Sequence, residues 1–355
     1  MRIFCYFIEP ASYTLDLAMN VYDKNKIDYC FIKSNTLVKS NLKTNKKFLS
    51  EMSFLNKMRY IIKIFKENNM IIVNGYNNYP FILTFILNIL SCNKRFIATE
   101  SDTQLQIPAN PLKRFIKWIY LSIIFKRKYV LGFPGGNKSH KNLFKHYGMA
   151  EKRIFLMPMM VDNSRFYQKN KVLPEVFSFL YVGRLLKHKN VEELIKVFNS
   201  KFNELNAELR IVGGGKDEKY LIDKYQSKKV KFLGKRFTED LVEEFQKASC
   251  FVFPSIFEPW GLVVNEALSA GLPVIATKEV GASFDLIHKK ETGYVAINMT
   301  EFGEYMLELF ENPKKLLIFS KNGSDLMKNK WNYDFYSNCL NKAIDKVKKW
   351  QYVEK

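Results

Sequence analysis

The sequence predicts an α/β protein made of two Rossmann-like, doubly wound parallel-sheet domains, and three observations carry that prediction. Short apolar runs rich in β-branched and aromatic residues alternate with helical patterns along the chain. The turns that follow those runs are polar or carry glycine, as the strand-to-helix connections of a parallel sheet do. The chain has 355 residues, enough for two domains that each bury a core. Hydrophobic residues make up 47% and aromatics 15% of it, which excludes a mainly disordered protein.

In the first half, residues 2–8, 26–32, 70–74, 95–99 and 128–132 read as strands, with helices over 15–22, 50–68, 80–90 and 112–125. A doubly wound sheet binds its ligand beyond the carboxyl ends of its strands, which places residues 9–13, 74–78 and 100–103 around a site. The start, MRIFCYFIEP, has six consecutive apolar residues before Glu9 and Pro10 interrupt them. That is short of a secretory leader and reads as the first core strand. The most apolar run, 79–92, has 14 residues against the ~20 that span a bilayer, so a buried or interfacial helix is expected.

The net charge is +21 and uneven: residues 1–165 hold 26 Lys/Arg against 10 Asp/Glu, the remainder 30 against 25. The first half therefore calls for an anionic partner. A helix over 112–127 brings Phe115, Trp118, Ile119, Ser122 and Ile123 near one another, flanked by Lys113, Arg114, Lys117, Lys126 and Arg127. Lys39, Lys43, Lys46, Lys47, Lys57, Arg59 and Lys63 add to that charge. Basic residues around an aromatic and aliphatic face suit an anionic membrane surface. Nucleic acid is not expected, because no helix-turn-helix, RNP or zinc-finger pattern accompanies the charge. The five scattered cysteines fit reduced thiols in the cytosol better than disulfides or a zinc framework.

A linker is expected near 166–174, giving domains over 1–170 and 171–330 and a terminal segment over 331–355. Beyond it, 176–182, 208–212, 229–233, 250–253 and 273–276 read as strands. The stretch 249–277 forms one βαβ unit in which a loop carrying Glu258, Pro259, Trp260 and Gly261 opens a helix at Gly261 or Leu262 that ends at Gly271. Glu258 and Glu266 thus flank a helix N-terminus whose free N–H groups can hold an anion. Carboxylates are poor phosphate ligands and good acceptors for sugar hydroxyls. Arg184 and Lys189 follow the strand 176–182, where a guanidinium fork and a mobile ammonium can neutralise a diphosphate. Gly213, Gly214 and Gly215 would let a ligand approach the backbone closely, and 235–238 forms a fourth strand-end loop. Each feature alone fits a plain turn or a solvated surface; their coincidence at successive strand ends points to a nucleotide-sugar site.

With these residues in hand, the chain resembles a known family. G-R-L-x-x-x-K-N at 183–190, F-P-S-x-x-E-P-W-G-L-x-x-x-E-A-L at 253–268 and S-A-G-x-P-V-I-A-T at 269–277 look like the family 4 retaining glycosyltransferases of the GT-B fold, the glycosyl transferases group 1. The resemblance is strong over 177–293 and weak before it. It implies a donor domain in the second half facing an acceptor domain across a cleft, with the helix 333–350 crossing back onto the first domain. It further implies that Gly183, Arg184 and Lys189 hold the diphosphate of a UDP- or GDP-sugar, and that Glu258 accepts hydroxyls of the transferred sugar. Main-chain groups at Trp260, Gly261, Leu262 and Val263 would contact sugar and phosphate, Glu266 the ribose, Gly213 the donor, and Lys235, Arg236 and Phe237 the base.

The chain also departs from that pattern. Where many relatives carry a glycine pair after the first strand, it has Glu9, Pro10, Ala11, Ser12 and Tyr13. Where many have a histidine after the fourth, it has Glu100, Ser101 and Asp102. Glu100 is therefore expected to orient sugar or acceptor as a catalytic group, with Asp102 the runner-up. No D-x-D occurs, so no metal and no cofactor are expected. The reading is a metal-independent enzyme on the inner face of the cytoplasmic membrane that extends a lipid-linked or cell-surface glycan. A sugar-nucleotide epimerase of the same fold, or a non-enzymatic basic protein binding lipid or nucleic acid, are the alternatives.

Overall fold

A computed structural model describes residues 1–34, 47–138, 140–168, 171, 173–287 and 291–353. They divide into two units: one holds Met1–Met160 and the terminal helix Tyr333–Val353, the other Val161–Asn332.

In the first unit β1 (Ile3–Phe7), β2 (Asp28–Phe31), β3 (Met70–Asn74), β4 (Phe96–Ser101) and β5 (Val130–Pro134) form an all-parallel sheet in the order β2-β1-β3-β4-β5. Cys5 on β1 pairs with Tyr29 on one side and Ile72 on the other. Strands covered by helices read as unbroken apolar runs, as MIIVN at β3 does. The helix Pro111–Phe125 starts where Asn110 Oδ1 accepts from Lys113 N–H at 3.0 Å and Pro111 fits the first turn. It buries Leu121, Ser122, Ile124 and Phe125 and exposes Phe115, Ile116, Trp118, Ile119 and Ile123. Ser122 thus lies on the buried side, not on the outer face where the helical period put it beside Trp118. On the neighbouring helix Tyr79–Leu90, Ile82, Ile86 and Ile89 are exposed too. Phe81, Ile82 and Phe85 meet Tyr120 and Ile123 in a shared crevice, so the two helices present one apolar face. No helix among the described residues is long and apolar enough to cross a membrane. Lys39, Lys43 and Lys46 lie outside the described residues.

In the second unit β6 (Phe177–Val182), β7 (Ala207–Val212), β8 (Val230–Phe232), β9 (Cys250–Phe253), β10 (Val274–Thr277) and β11 (Gly293–Ala296) form a second all-parallel sheet, ordered β11-β10-β9-β6-β7-β8. The expected strands match to within a residue or two at their ends. β11 and the helices Glu218–Tyr225, Met299–Glu311 and Pro313–Asn329 have no counterpart in the expectation. The division falls earlier than the expected 170/171 boundary for a specific reason. Asn163, on the short helix Asn163–Phe166, donates to the carbonyls of Met327 and Trp331 at 2.8 Å each and accepts from Ser269 Oγ at 3.0 Å. Those bonds tie the segment to the second unit. Of the expected linker, residues 169, 170 and 172 lie outside the described residues.

Candidate functional site

Both sheets reverse their winding at one point, and in such sheets the strand ends on either side of that point form the binding crevice. In the second unit the reversal lies between β6 and β9. The loop after β6 carries Gly183, Arg184 and Lys189; the loop after β9 carries Glu258. Ile256 N–H donates to His188 C=O at 2.9 Å and so stitches the two loops together. Across that seam Lys189 Nζ donates to Glu258 Oε2, with both side chains largely removed from solvent. Lys189 also stands 5.4 Å from the ring centroid of Phe253. Two residues 69 positions apart meet here, and stripping either would strand a desolvated charge. Arg184, by contrast, is exposed, and among the described residues its guanidinium makes no hydrogen bond or ion pair.

The helix Leu262–Ser269 begins at Gly261, whose φ of +94° is a conformation that favours glycine. A Cβ there would stand 3.0 Å from Phe253 Cε1 and 3.1 Å from Glu258 Cγ. No side chain caps this helix, so its first amides, Leu262 and Val263 among them, keep their capacity for an anion. Trp260 is buried; its indole N–H donates to Asn265 Oδ1 at 2.9 Å and its ring stacks on Trp331 at 5.8 Å. Only its main chain can face a ligand.

The loop after β10, which sequence reasoning did not single out, braces this turn. Gly281 N–H donates to Glu258 C=O at 3.0 Å and Ala282 N–H to Trp260 C=O at 2.9 Å. A Cβ on Gly281 would meet Pro259 C=O at 1.9 Å. The V-G-A sequence at 280–282, three residues past a strand end, was the available signal. Further along the helix, Glu266 keeps part of its surface open, yet desolvation pushes its carboxyl up to about 8. Among the described residues it accepts no hydrogen bond and forms no ion pair, which leaves both oxygens to a ligand.

The glycine triplet serves another purpose than the close ligand approach expected of it. A Cβ on Gly213 would stand 1.8 Å from Gly183 C=O, and one on Gly215 2.3 Å from Leu185 C=O. Gly213 N–H donates to Gly234 C=O at 2.8 Å. These glycines let three strand-end loops pack on one another, and Gly213 has no amide left for a donor. Lys235, Arg236 and Phe237 are all exposed on the loop before the helix Thr238–Lys247.

In the first unit the reversal lies between β1 and β3. A cavity of about 300 Å³ opens at these strand ends and that of β4, lined among others by Glu9, Tyr13, Asn74, Tyr76, Glu100 and Asp102. Its walls come from the three segments the strand-end rule selected, plus Phe7, Ile8, Thr14, Leu17, Pro158, Met159 and Met160, which it did not. Glu100 is 8% exposed. Its Oε1 accepts from Tyr336 O–H at 2.9 Å and its Oε2 from Asn74 Nδ2. Tyr336, on the terminal helix, lies 3.1 Å from the hydroxyl of Tyr22. Burial pushes the Glu100 carboxyl up to about 7 and Asp102 adds to that, while the bonds from Tyr336 and Asn74 oppose it. The Tyr336 contact is what the sequence did not disclose. Among the described residues, no group of three or more His, Cys, Asp or Glu could hold a metal ion.

Two parallel doubly wound sheets in one chain, each with polar groups at its reversal point, define the α/β fold of the GT-B glycosyltransferases. The Anabaena protein HepE in complex with UDP shares that fold, with a TM-score of 0.77 at 14% identity over 97% of this chain and 100% of that one. Its complex with UDP-glucose gives 0.73 at 15% identity, over 97% and 99%. Residues 162–325 match the family of glycosyl transferases group 1. A probable sucrose-phosphate synthase of Thermosipho melanesiensis is 31% identical over 194 residues, 50% of this chain and 44% of that protein. CapM, a capsular polysaccharide biosynthesis glycosyltransferase of Staphylococcus aureus, is 30% identical over 142 residues, 38% and 37% of the two chains. The chain spans less than half the length of the curated relatives it matches first.

Proposed function

We propose that this protein is a family 4 glycosyltransferase that moves a hexose, with retention and without a metal, from a UDP- or GDP-sugar to a glycan or lipid-linked acceptor. The observation that carries the reading is the Lys189–Glu258 pair at the reversal point of a sheet whose sequence is that of a group 1 glycosyl transferase. That HepE was solved with UDP and UDP-glucose supports a nucleotide-sugar donor. CapM's part in capsular polysaccharide biosynthesis supports a glycan acceptor.

The roles follow from charge. Departure of a nucleoside diphosphate builds negative charge on the leaving oxygen, and an exposed cation together with uncapped helix amides is suited to meet it. Arg184 and the first amides of the helix Leu262–Ser269 supply that. Lys189, balanced by Glu258 in the resting protein, adds a second positive charge and holds the acid ready to accept sugar hydroxyls. Glu266, with no donor among the described residues, takes the ribose hydroxyls. Retention requires attack from the face the diphosphate leaves, or a covalent intermediate.

The first unit supports a membrane-linked acceptor. Phe115, Ile116, Trp118, Ile119 and Ile123 face solvent between Lys113 and Arg114 at one helix end and Lys126 and Arg127 at the other, an arrangement complementary to the inner leaflet of an anionic membrane.

Incorporation of labelled hexose from UDP- and GDP-hexoses into a lipid or polysaccharide fraction tests the reading. Arg184→Ala and Glu258→Ala are each expected to lower it by about 10²–10³-fold, the loss typical of removing one transition-state contact. Near-wild-type incorporation by either variant would end the assignment. Conversion of a UDP-hexose with no acceptor present would favour the epimerase instead.

A further inference from the structure

We propose that the cavity at the β1, β3 and β4 ends receives an uncharged, hydroxyl-rich sugar ring of the acceptor and rejects a phosphorylated one. The proposal rests on the glycosyltransferase reading above and names the acceptor chemistry of that reading. Its starting point is a contrast between the cavity and the unit around it. Residues 1–165 hold 26 Lys/Arg against 10 Asp/Glu, yet among the described residues no Lys, Arg or His lines this cavity. Three carboxylates do: Glu100 within it and Glu9 and Asp102, both exposed, at its rim. Part of the positive charge of the unit lies instead on the helix Pro111–Phe125 and just beyond it, where Lys113, Arg114, Lys126 and Arg127 are exposed.

The lining is what a neutral polyol needs. Carboxylates accept from hydroxyls in bidentate or paired fashion. Tyr13, exposed at the cavity wall, supplies an aromatic ring for the C–H side of a pyranose. Asn74 lines the cavity with its Nδ2 committed to Glu100, while its Oδ1 is buried with no donor among the described residues. A buried acceptor without a donor is costly, and a ligand hydroxyl would satisfy it. About 300 Å³ lies at the small end of ligand sites, room for one ring and not for a chain. A phosphate dianion in the same space would meet the charges of Glu9 and Asp102, joined by Glu100 as pH rises through about 7, and no cation among the described residues, a repulsion that partial desolvation strengthens. A phosphate elsewhere on a lipid-linked acceptor would find the exposed cations of the helix Pro111–Phe125.

The test is a binding titration of the full chain in the presence of UDP, followed by saturation-transfer NMR or calorimetry. The probes are glucose, galactose and mannose, and the 6-phosphates of these three neutral hexoses. At least one unphosphorylated sugar is expected to bind, and its 6-phosphate about tenfold or more weakly, given like charges at close range. Asp102→Lys, at an exposed position that carries no fold, is expected to narrow that gap. A 6-phosphate that binds as tightly as its parent, or more tightly, overturns the proposal and leaves the acceptor reading standing. If UDP binds and no sugar does, the cavity is no acceptor site and the proposal falls while the donor reading survives. If neither UDP nor any UDP- or GDP-sugar binds, the functional reading falls together with it.

Discussion

Tyr336 reaches Glu100 across 236 positions of sequence, and the bond it donates favours the ionised carboxylate that burial opposes. Burial wins, and the group titrates near neutrality instead of near 4.5. A carboxyl whose folded pKa is raised binds a proton more tightly folded than unfolded. Its contribution to stability is therefore complete below the ordinary carboxylate range and is lost as pH rises from 4.5 through about 7. Glu266 acts in the same direction up to about 8. Tyr336→Phe removes one of the opposing bonds, so Glu100 should titrate higher and the loss of stability should continue to higher pH than in the wild type. Thermal unfolding followed from about pH 5 to about pH 9 checks this, and the two midpoints should diverge as pH rises. Curves that stay parallel over that range would mean the hydroxyl does not hold the carboxylate. At this scale Glu258 and Lys189 were legible because motif spacing sets them at strand ends. Tyr336 was not, because nothing in the run YDFYS says which tyrosine meets an acid on another element.

The helix Leu262–Ser269 and its entry turn form the element on which the donor chemistry depends. Its start could be read from Pro259 and Gly261, since proline discourages helix before it and glycine permits the turn. What the sequence withheld is why the turn keeps its shape: the 281–282 amides, the Trp260–Trp331 stack and the bond from Trp260 to Asn265 all converge on it. Gly261→Ala should place a side chain at φ +94° and within 3.0 Å of Phe253. The expected cost is about 1–3 kcal/mol. It would appear as a lowered midpoint in urea with an unchanged slope, and an unchanged midpoint would show that the turn tolerates a side chain. The same limit explains Gly213 and Gly215. A glycine triplet at a strand end reads alike whether a ligand or a neighbouring loop approaches it, and the structure shows the loop. It also explains β11, where the four residues Gly293–Ala296 carry too little pattern to separate strand from turn.

At the scale of the molecule, charge and apolar exposure coincide on the first unit. Ile82, Ile86 and Ile89 on one helix and Phe115, Ile116, Trp118, Ile119 and Ile123 on the next face solvent, with cations at the helix ends. The full chain is expected to sediment with liposomes containing anionic lipid, to remain in solution with neutral ones, and to lose binding as salt rises, since each near-surface cation contributes ~1 kcal/mol. Phe115→Asp with Ile116→Asp, both at exposed positions, should abolish sedimentation without lowering the thermal midpoint. A chain that stays in solution with both kinds of liposome would remove the membrane from the proposal. The sequence by itself determined the two parallel-sheet domains, the strand ends that carry polar groups and the side of the chain that bears the charge. These are written in local period, in turn residues and in composition, which act between near neighbours. Only the tertiary structure decided which polar groups meet. Strand order brought Lys189 to Glu258 and the terminal helix brought Tyr336 to Glu100. Pairings across tens or hundreds of residues are fixed by how elements stack, and no short stretch of sequence contains that information.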